Sequence, residues 1–236
     1  MPYFVGGLSD EWLDHVRAAI HAGADAVEIG IPFSDPIMDG PVIQEAANIA
    51  LGRGATMSSI LDELVTLDAS VPLIAMTYYN LFHHRGLARS AADLARAGIS
   101  GAIVPDLSLE ESGPWREAAN VADVASVLMV APSTPPDRMA ALANASQGFI
   151  YAAARMTVTG VANDSGQAEM VVAALRAVTT KPIYVGIGIS TPDQAANAAR
   201  DADGVIVGSA LVRRLLDNEG SVGVEKFVGS LRRAID

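Results

Sequence analysis

Short apolar runs recur along the chain and alternate with longer, alanine-rich stretches whose apolar residues return at helical spacing. The runs fall at 2–5, 26–30, 73–77, 101–104, 126–130, 148–152, 183–186 and 204–207, and each reads as a strand. Helical spacing predicts helices at 11–22, 42–51 with 57–67, 87–97, 109–120, 137–143, 168–178, 191–200 and 222–235, with a short helix opening at the Gly-Ser after the last strand. Glycine-containing links such as H-A-G-A-D-A-V and R-A-G-I-S-G-A-I carry helix into strand, as short αβ connections do. Eight β/α units with no linker or low-complexity segment predict a (β/α)₈ TIM barrel of class α/β, spanning 1–236 as one domain. A doubly wound open sheet is the alternative. It calls for a glycine-rich turn after the first strand, and Gly6-Gly7 is too little.

Composition narrows the function more than the fold. Hydrophobic residues make up 50% and charged residues 18%, ample for one large core. A net charge of −11 lacks the Lys/Arg surplus that nucleic acid or an anionic membrane demands, so no nucleic acid and no membrane is expected among the partners. With no cysteine there is no disulfide and no thiolate nucleophile. The start, M-P-Y-F-V-G-G, has no basic region ahead of an apolar stretch, and a cytoplasmic location is expected.

The segment E-I-G-I-P-F-S-D-P-I-M-D-G-P-V-I-Q, residues 28–44, stands out against this background. Glu28 lies inside an apolar strand, where an ion is costly without a partner or a task. Asp35 and Asp39 follow in a loop stiffened by Pro32, Pro36 and Pro41. In a barrel of this class the site gathers at the C-terminal ends of the strands. Those ends offer Glu28, Asp35, Asp39, Tyr78, Asn80, Asp106, Tyr151, Arg155 and the glycine-rich turns G-I-G-I-S and V-G-S-A-L-V. The two turns follow strands 7 and 8, where backbone N–H groups and a helix N-terminus make a phosphate site without Lys or Arg. The same glycines would also serve close packing at the barrel rim.

Lysine placement removes candidates: Lys181 precedes strand 7 at the far end of the barrel, and Lys226 lies on the last helix, so a Schiff-base lysine is missing. Of His15, His21, His83 and His84, none falls at a strand end facing the site. His83-His84, read as a solvated pair in the loop after strand 3, comes nearest. No metal site is expected. Acid–base catalysis by carboxylates on a phosphorylated small molecule remains. Glu28 is the leading acid–base group, since burial raises a carboxyl pKa toward neutrality. Its purely structural alternative is a pairing with Arg155 or a tyrosine. Asp39 can stay ionised and accept from a substrate N–H, whereas Asp35 fits the turn at Pro36. Asp106 reads equally as a supporting acid or as a cap for the helix beginning at Leu109, and Tyr78 and Tyr151 as substrate contacts or packing.

The run A-D-A-V-E-I-G-I-P-F-S-D-P-I-M-D-G-P-V-I-Q resembles the signature of tryptophan synthase α subunits, and the match continues through M-T-Y-Y-N, V-P-D-L-S-L-E-E-S, R-x-x-V-T-G at 155–160, G-I-G-I-S and V-G-S-A-L-V. It implies retro-aldol cleavage of indole-3-glycerol phosphate to indole and glyceraldehyde 3-phosphate. Glu28 matches the proton donor to the indole carbon that bears the glycerol chain. Asp39 matches the acid that holds the indole N–H. Tyr3 matches an aromatic flanking the indole, Tyr151 the tyrosine near the catalytic glutamate, and Gly160, Gly188, Gly208 and Ser209 the phosphate cradle. The resemblance also implies a partner β subunit carrying pyridoxal phosphate, an α₂β₂ assembly, and no cofactor in this chain. Three places depart from the family pattern. The usual helix before the first strand is lacking, F-V-G-G-L-S-D replaces a Gly-Asp-Pro-like turn, and Met156-Thr157 stand where Ser-Gly is usual. The competing expectations are another phosphate-binding barrel enzyme, which would need lysine or metal ligands at the strand ends, and a non-catalytic docking subunit.

Overall fold

The structure is a computed structural model and describes residues 1–153, 165–186 and 188–236. Eight parallel strands pair in chain order: β1 (Tyr3–Val5), β2 (Val27–Gly30), β3 (Leu73–Met76), β4 (Ile99–Ile103), β5 (Ala125–Val130), β6 (Ile150–Ala153), β7 (Ile183–Gly186) and β8 (Gly204–Val205). The last strand returns to the first. Pro2 bridges Val207 in parallel, the Tyr3 N–H donates to the Val207 carbonyl at 3.0 Å, and the Val207 N–H donates to the Met1 carbonyl at 3.0 Å. The sheet therefore closes on itself as the barrel that the alternation predicts.

Strand alternation sorts side chains into two cores. Val27 and Ile29 of β2 join Phe4, Leu61, Leu94 and Trp115 in the layer between strands and helices. Ile74, Ile103, Val127, Phe149, Tyr151 and Ile206 fill the barrel itself. Glu28 and Gly30, between and beyond the outward pair, belong to the inward set, so the acid of β2 is delivered to the interior by period alone.

The helices that wrap the barrel are α1 (Trp12–His21), α2 (Pro41–Gly52), α3 (Met57–Leu64), α4 (Tyr79–Arg85), α5 (Leu87–Arg96), α6 (Gly113–Val121), α7 (Pro136–Ala145), α8 (Ser165–Arg176), α9 (Pro192–Ala199), α10 (Ser209–Leu216) and α11 (Gly220–Ile235). Several boundaries shift by one to three residues from expectation, and two larger differences bear on the site. The stretch after β3, read as loop, is helix α4, so His83 and His84 sit exposed in a last helical turn, where imidazole suits the helix dipole. The stretch is too short to show an apolar period. Its anchor is tertiary: Phe82 is fully buried and stacks on Trp115 at 4.4 Å between centroids. Likewise α6 begins at Gly113, not at Leu109, because Pro114 sets its first turn.

Lys181 lies ahead of β7, as expected, and works as a brace. Its Nζ donates to the carbonyls of Ala143, Asn144 and Ser146 at 2.8, 3.0 and 2.6 Å, satisfying the open end of α7. Lys181→Met should lower stability by about 2 kcal/mol, the scale of hydrogen bonds made by a charged donor, and leave turnover unchanged. Urea unfolding alongside a rate measurement checks both halves.

Candidate active site

The inward face of β2 and the loop behind it build one wall of a cleft at the C-terminal end of the barrel. Glu28 is 1% exposed, and its Oε1 has no hydrogen-bond partner among the described residues. Burial raises its pKa to about 8; the amino-terminal ammonium opposes the rise and Asp39 adds to it. At neutral pH this carboxyl holds its proton.

Asp39 is placed by its neighbours on both sides. The Gln44 side chain, in the first turn of α2, donates to the Asp39 carbonyl at 2.8 Å. Just beyond β3, the Tyr78 hydroxyl accepts from the Met38 N–H at 2.9 Å and stands beside the Asp39 side chain. Burial raises the Asp39 pKa to about 6, with Tyr78 pulling the other way, which favours the ionised form at neutral pH. Two acids in one cleft thus differ in protonation because their surroundings differ. Asp35 is exposed and does not line the cleft, and the Ser34 hydroxyl donates to it at 2.5 Å.

Two tyrosines line the cleft by lying across glycines. A Cβ on Gly30 would fall 2.0 Å from the Tyr3 hydroxyl, and one on Gly186 would fall 2.1 Å from the Tyr151 hydroxyl. Neither glycine has room for any side chain, and both phenols are held well above their usual pKa, chiefly by burial. The Tyr3 ring also leans on Gly208, where a Cβ would meet the tyrosine Cβ at 3.8 Å.

The cleft, its open mouth included, spans about 650 Å³ and brings together Tyr3, Glu28, Asp39, Tyr151, Gly188, Gly208 and Ser209 of the residues singled out in the sequence. Gly208 precedes α10 and Ser209 opens it, so the turn after β8 brings a helix N-terminus to the cleft on the other side of β1 from β2. Gly160, Arg155 and Met156-Thr157 lie outside the described residues. Tyr78 is gathered to the site but is not among the lining residues; it stands behind Asp39. Asp106 accepts from the Tyr79 N–H at 2.9 Å and so caps α4, a helix absent from the sequence expectation, and not the helix after Leu109. Sequence reasoning missed the apolar lining of Met38, Ile43, Met76, Pro105, Met129 and Ile206, and it missed Gly30. The inward period of β3, β5 and β8 held the signal for Met76, Met129 and Ile206. Among the described residues no helix is long and apolar enough to cross a membrane.

Residues 2–230 match the family profile of the tryptophan synthase alpha chain. A tryptophan synthase alpha chain from Microcystis aeruginosa is 44% identical over 227 residues, covering 93% of this chain and 86% of that protein. One from Streptomyces coelicolor is 42% identical over 241 residues, covering 99% and 87%. Among solved structures, tryptophan synthase from Mycobacterium tuberculosis superposes with a TM-score of 0.93 at 38% identity over 99% of this chain and 91% of that one.

Proposed function

The chain belongs to the tryptophan synthase alpha chain family, and from that membership we propose that Glu28 and Asp39 are the two acids that carry its reaction. The reaction is the cleavage of indole-3-glycerol phosphate to indole and glyceraldehyde 3-phosphate, a carbon–carbon lyase step of tryptophan biosynthesis. The chain needs no cofactor of its own; its partner, the β subunit, carries the pyridoxal phosphate of the assembly.

In this reading the indole lies among Met38, Ile43, Met76, Pro105, Met129 and Ile206, and the phosphate takes the turns at Gly188 and at Gly208-Ser209. Glu28 gives its proton to the indole carbon that bears the glycerol chain. The ring nitrogen becomes cationic, and Asp39, accepting from its N–H, stabilises that charge. When the glycerol hydroxyl then loses its proton, which makes good the one that Glu28 gave, the carbon–carbon bond breaks, its electron pair returns to the ring, and the aldehyde carbonyl forms. The observation that carries the assignment is the contrast between two acids lining one cleft. Glu28 is fully buried with an oxygen that finds no hydrogen-bond partner among the described residues, which favours its neutral form. Asp39 is partly exposed in a loop braced by Tyr78, which favours its ionised form. Residues 1–236 are read as one working barrel domain, supported by the unbroken pairing order of the strands. A cytoplasmic location is supported by the biosynthetic family.

The test is the pH dependence of kcat/KM, which reports the free enzyme's essential acid and base. Asp39 must be ionised and Glu28 protonated, so activity should rise through about pH 6 and fall through about pH 8. A profile that stays flat from pH 5 to 9, measured with the β subunit present, sinks the assignment.

A further inference from the structure

The chain leaving β3 ties down the loop that carries Asp39. The Thr77 hydroxyl donates to the Ile31 carbonyl at 3.0 Å, and the Tyr78 hydroxyl accepts from the N–H of Met38, the neighbour of Asp39, at 2.9 Å. The Phe33 ring packs on Tyr78 with centroids 5.3 Å apart. The next residue along, Tyr79, is itself held from the next βα corner, by the Asp106 carboxylate accepting from its N–H at 2.9 Å. An aspartate at the N-terminus of a helix makes a charge-assisted bond to an N–H that the helix cannot satisfy internally. Here that helix is α4, only seven residues long, and Tyr78 is the residue before its first turn. Any slackening of that turn moves Tyr78 directly. Asp106 is exposed and does not line the cleft, so it does not reach the substrate.

We propose that Asp106 is a positioning residue for Asp39, acting through Tyr78: the carboxylate fixes the start of α4, α4 fixes the tyrosine, and the tyrosine hydroxyl, holding the Met38 N–H, fixes the backbone next to the acid. The proposal rests on the reading of Asp39 given above. Loss of the cap leaves the indole cleft and the phosphate turns untouched, so binding is retained while the charge-stabilising acid drifts.

Steady-state indole release with the β subunit present tests this in a double-mutant cycle. Asp106→Ala should lose about tenfold in kcat with KM within about twofold of wild type, the signature of a misplaced group as opposed to a lost binding contact. Asp106→Asn, whose carbonyl oxygen can still accept from Tyr79, should recover most of that loss. In the Tyr78→Phe background, where the hydroxyl that transmits the effect is gone, Asp106→Ala should cost nothing further. Unchanged kcat in the single variant, or losses that multiply in full in the double variant, overturns the proposal. Thermal unfolding confirms that each variant is folded, and Asp106→Ser replaces the alanine in the cycle should the latter not fold. Asp39→Asn is measured in parallel: if it turns over normally, the reading of Asp39 is what fails, whereas an inactive Asp39→Asn beside an additive cycle removes only the role of Asp106.

Discussion

Replacing Glu28 by Gln is expected to abolish most turnover and, at the same time, to stabilise the fold at neutral and alkaline pH. The glutamine amide has nearly the shape of the neutral acid it replaces, so the cleft keeps its form, but it has no proton to give to the indole ring. Loss of a positioned general acid costs about 10²–10⁴-fold in rate, and kcat should fall by about that factor. The stability half follows from linkage. The Glu28 pKa is near 8 in the folded chain against a usual 4.5, so the folded state holds the proton more tightly than the unfolded one. Below about pH 4.5 both states are protonated and the burial carries no ionisation cost. As pH rises from there toward 8, the unfolded chain ionises freely while the folded chain does not, and wild-type stability declines by about 1.4 kcal/mol per pH unit from this group. Glutamine does not titrate. The stability gap between Glu28→Gln and wild type, read by urea unfolding at pH 5 and pH 8, should therefore widen with pH in favour of the variant. Near-normal turnover would remove Glu28 as the proton donor, and a gap that does not move with pH would contradict its buried neutral state.

Asp39→Asn is expected to have the next largest effect and a different character. The asparagine carbonyl can still accept from the indole N–H, so the substrate keeps its seat, but the negative charge opposite the ring nitrogen is gone. That charge matters as the ring becomes cationic, in a cleft lined by Met38, Ile43, Met76, Met129 and Ile206, whose apolar side chains strengthen electrostatic terms. A fall in kcat of about 10²–10³-fold with little change in KM is the expected result. Glycerol 3-phosphate, which explores only the far side of the cleft, should bind the variant as it binds wild type. If kcat stays within a few fold of wild type, Asp39 serves only to orient. If instead KM rises and kcat holds, it contributes binding and not charge stabilisation.

The cleft was legible in the sequence to an unequal degree. Glu28, Asp39, Tyr151, Gly188, Gly208 and Ser209 are conspicuous by their chemistry at strand ends, Tyr3 is pointed out only by the family resemblance, and the structure brings all seven to one cavity. Gly30 was not, although it is as indispensable to the shape as any of them: a missing side chain leaves no chemical signal, and its reason is the Tyr3 hydroxyl arriving from a strand distant in sequence. Asp106 shows the opposite failure. Its type suggested a cap and its position suggested the following helix, but the N–H it serves belongs to Tyr79, which lies earlier in the chain. Tyr78 was noticed as an aromatic at a strand end, yet whether it faces the cleft or stands behind Asp39 depends on the turn into α4, a helix with too few residues to announce itself.

The sequence by itself determined the strand and helix alternation, the barrel, the delivery of Glu28 to the interior and the acidic loop behind it. Those are consequences of period and local backbone chemistry, which neighbouring residues dictate. Only the tertiary structure decided which acid keeps its proton, which tyrosine lines the cleft and which supports it, and which helix Asp106 caps. Protonation is set by the burial and partners that distant segments supply, and a hydrogen bond is set by which chain arrives within reach. In this barrel both are fixed when β1, β2, β3 and β4 come side by side.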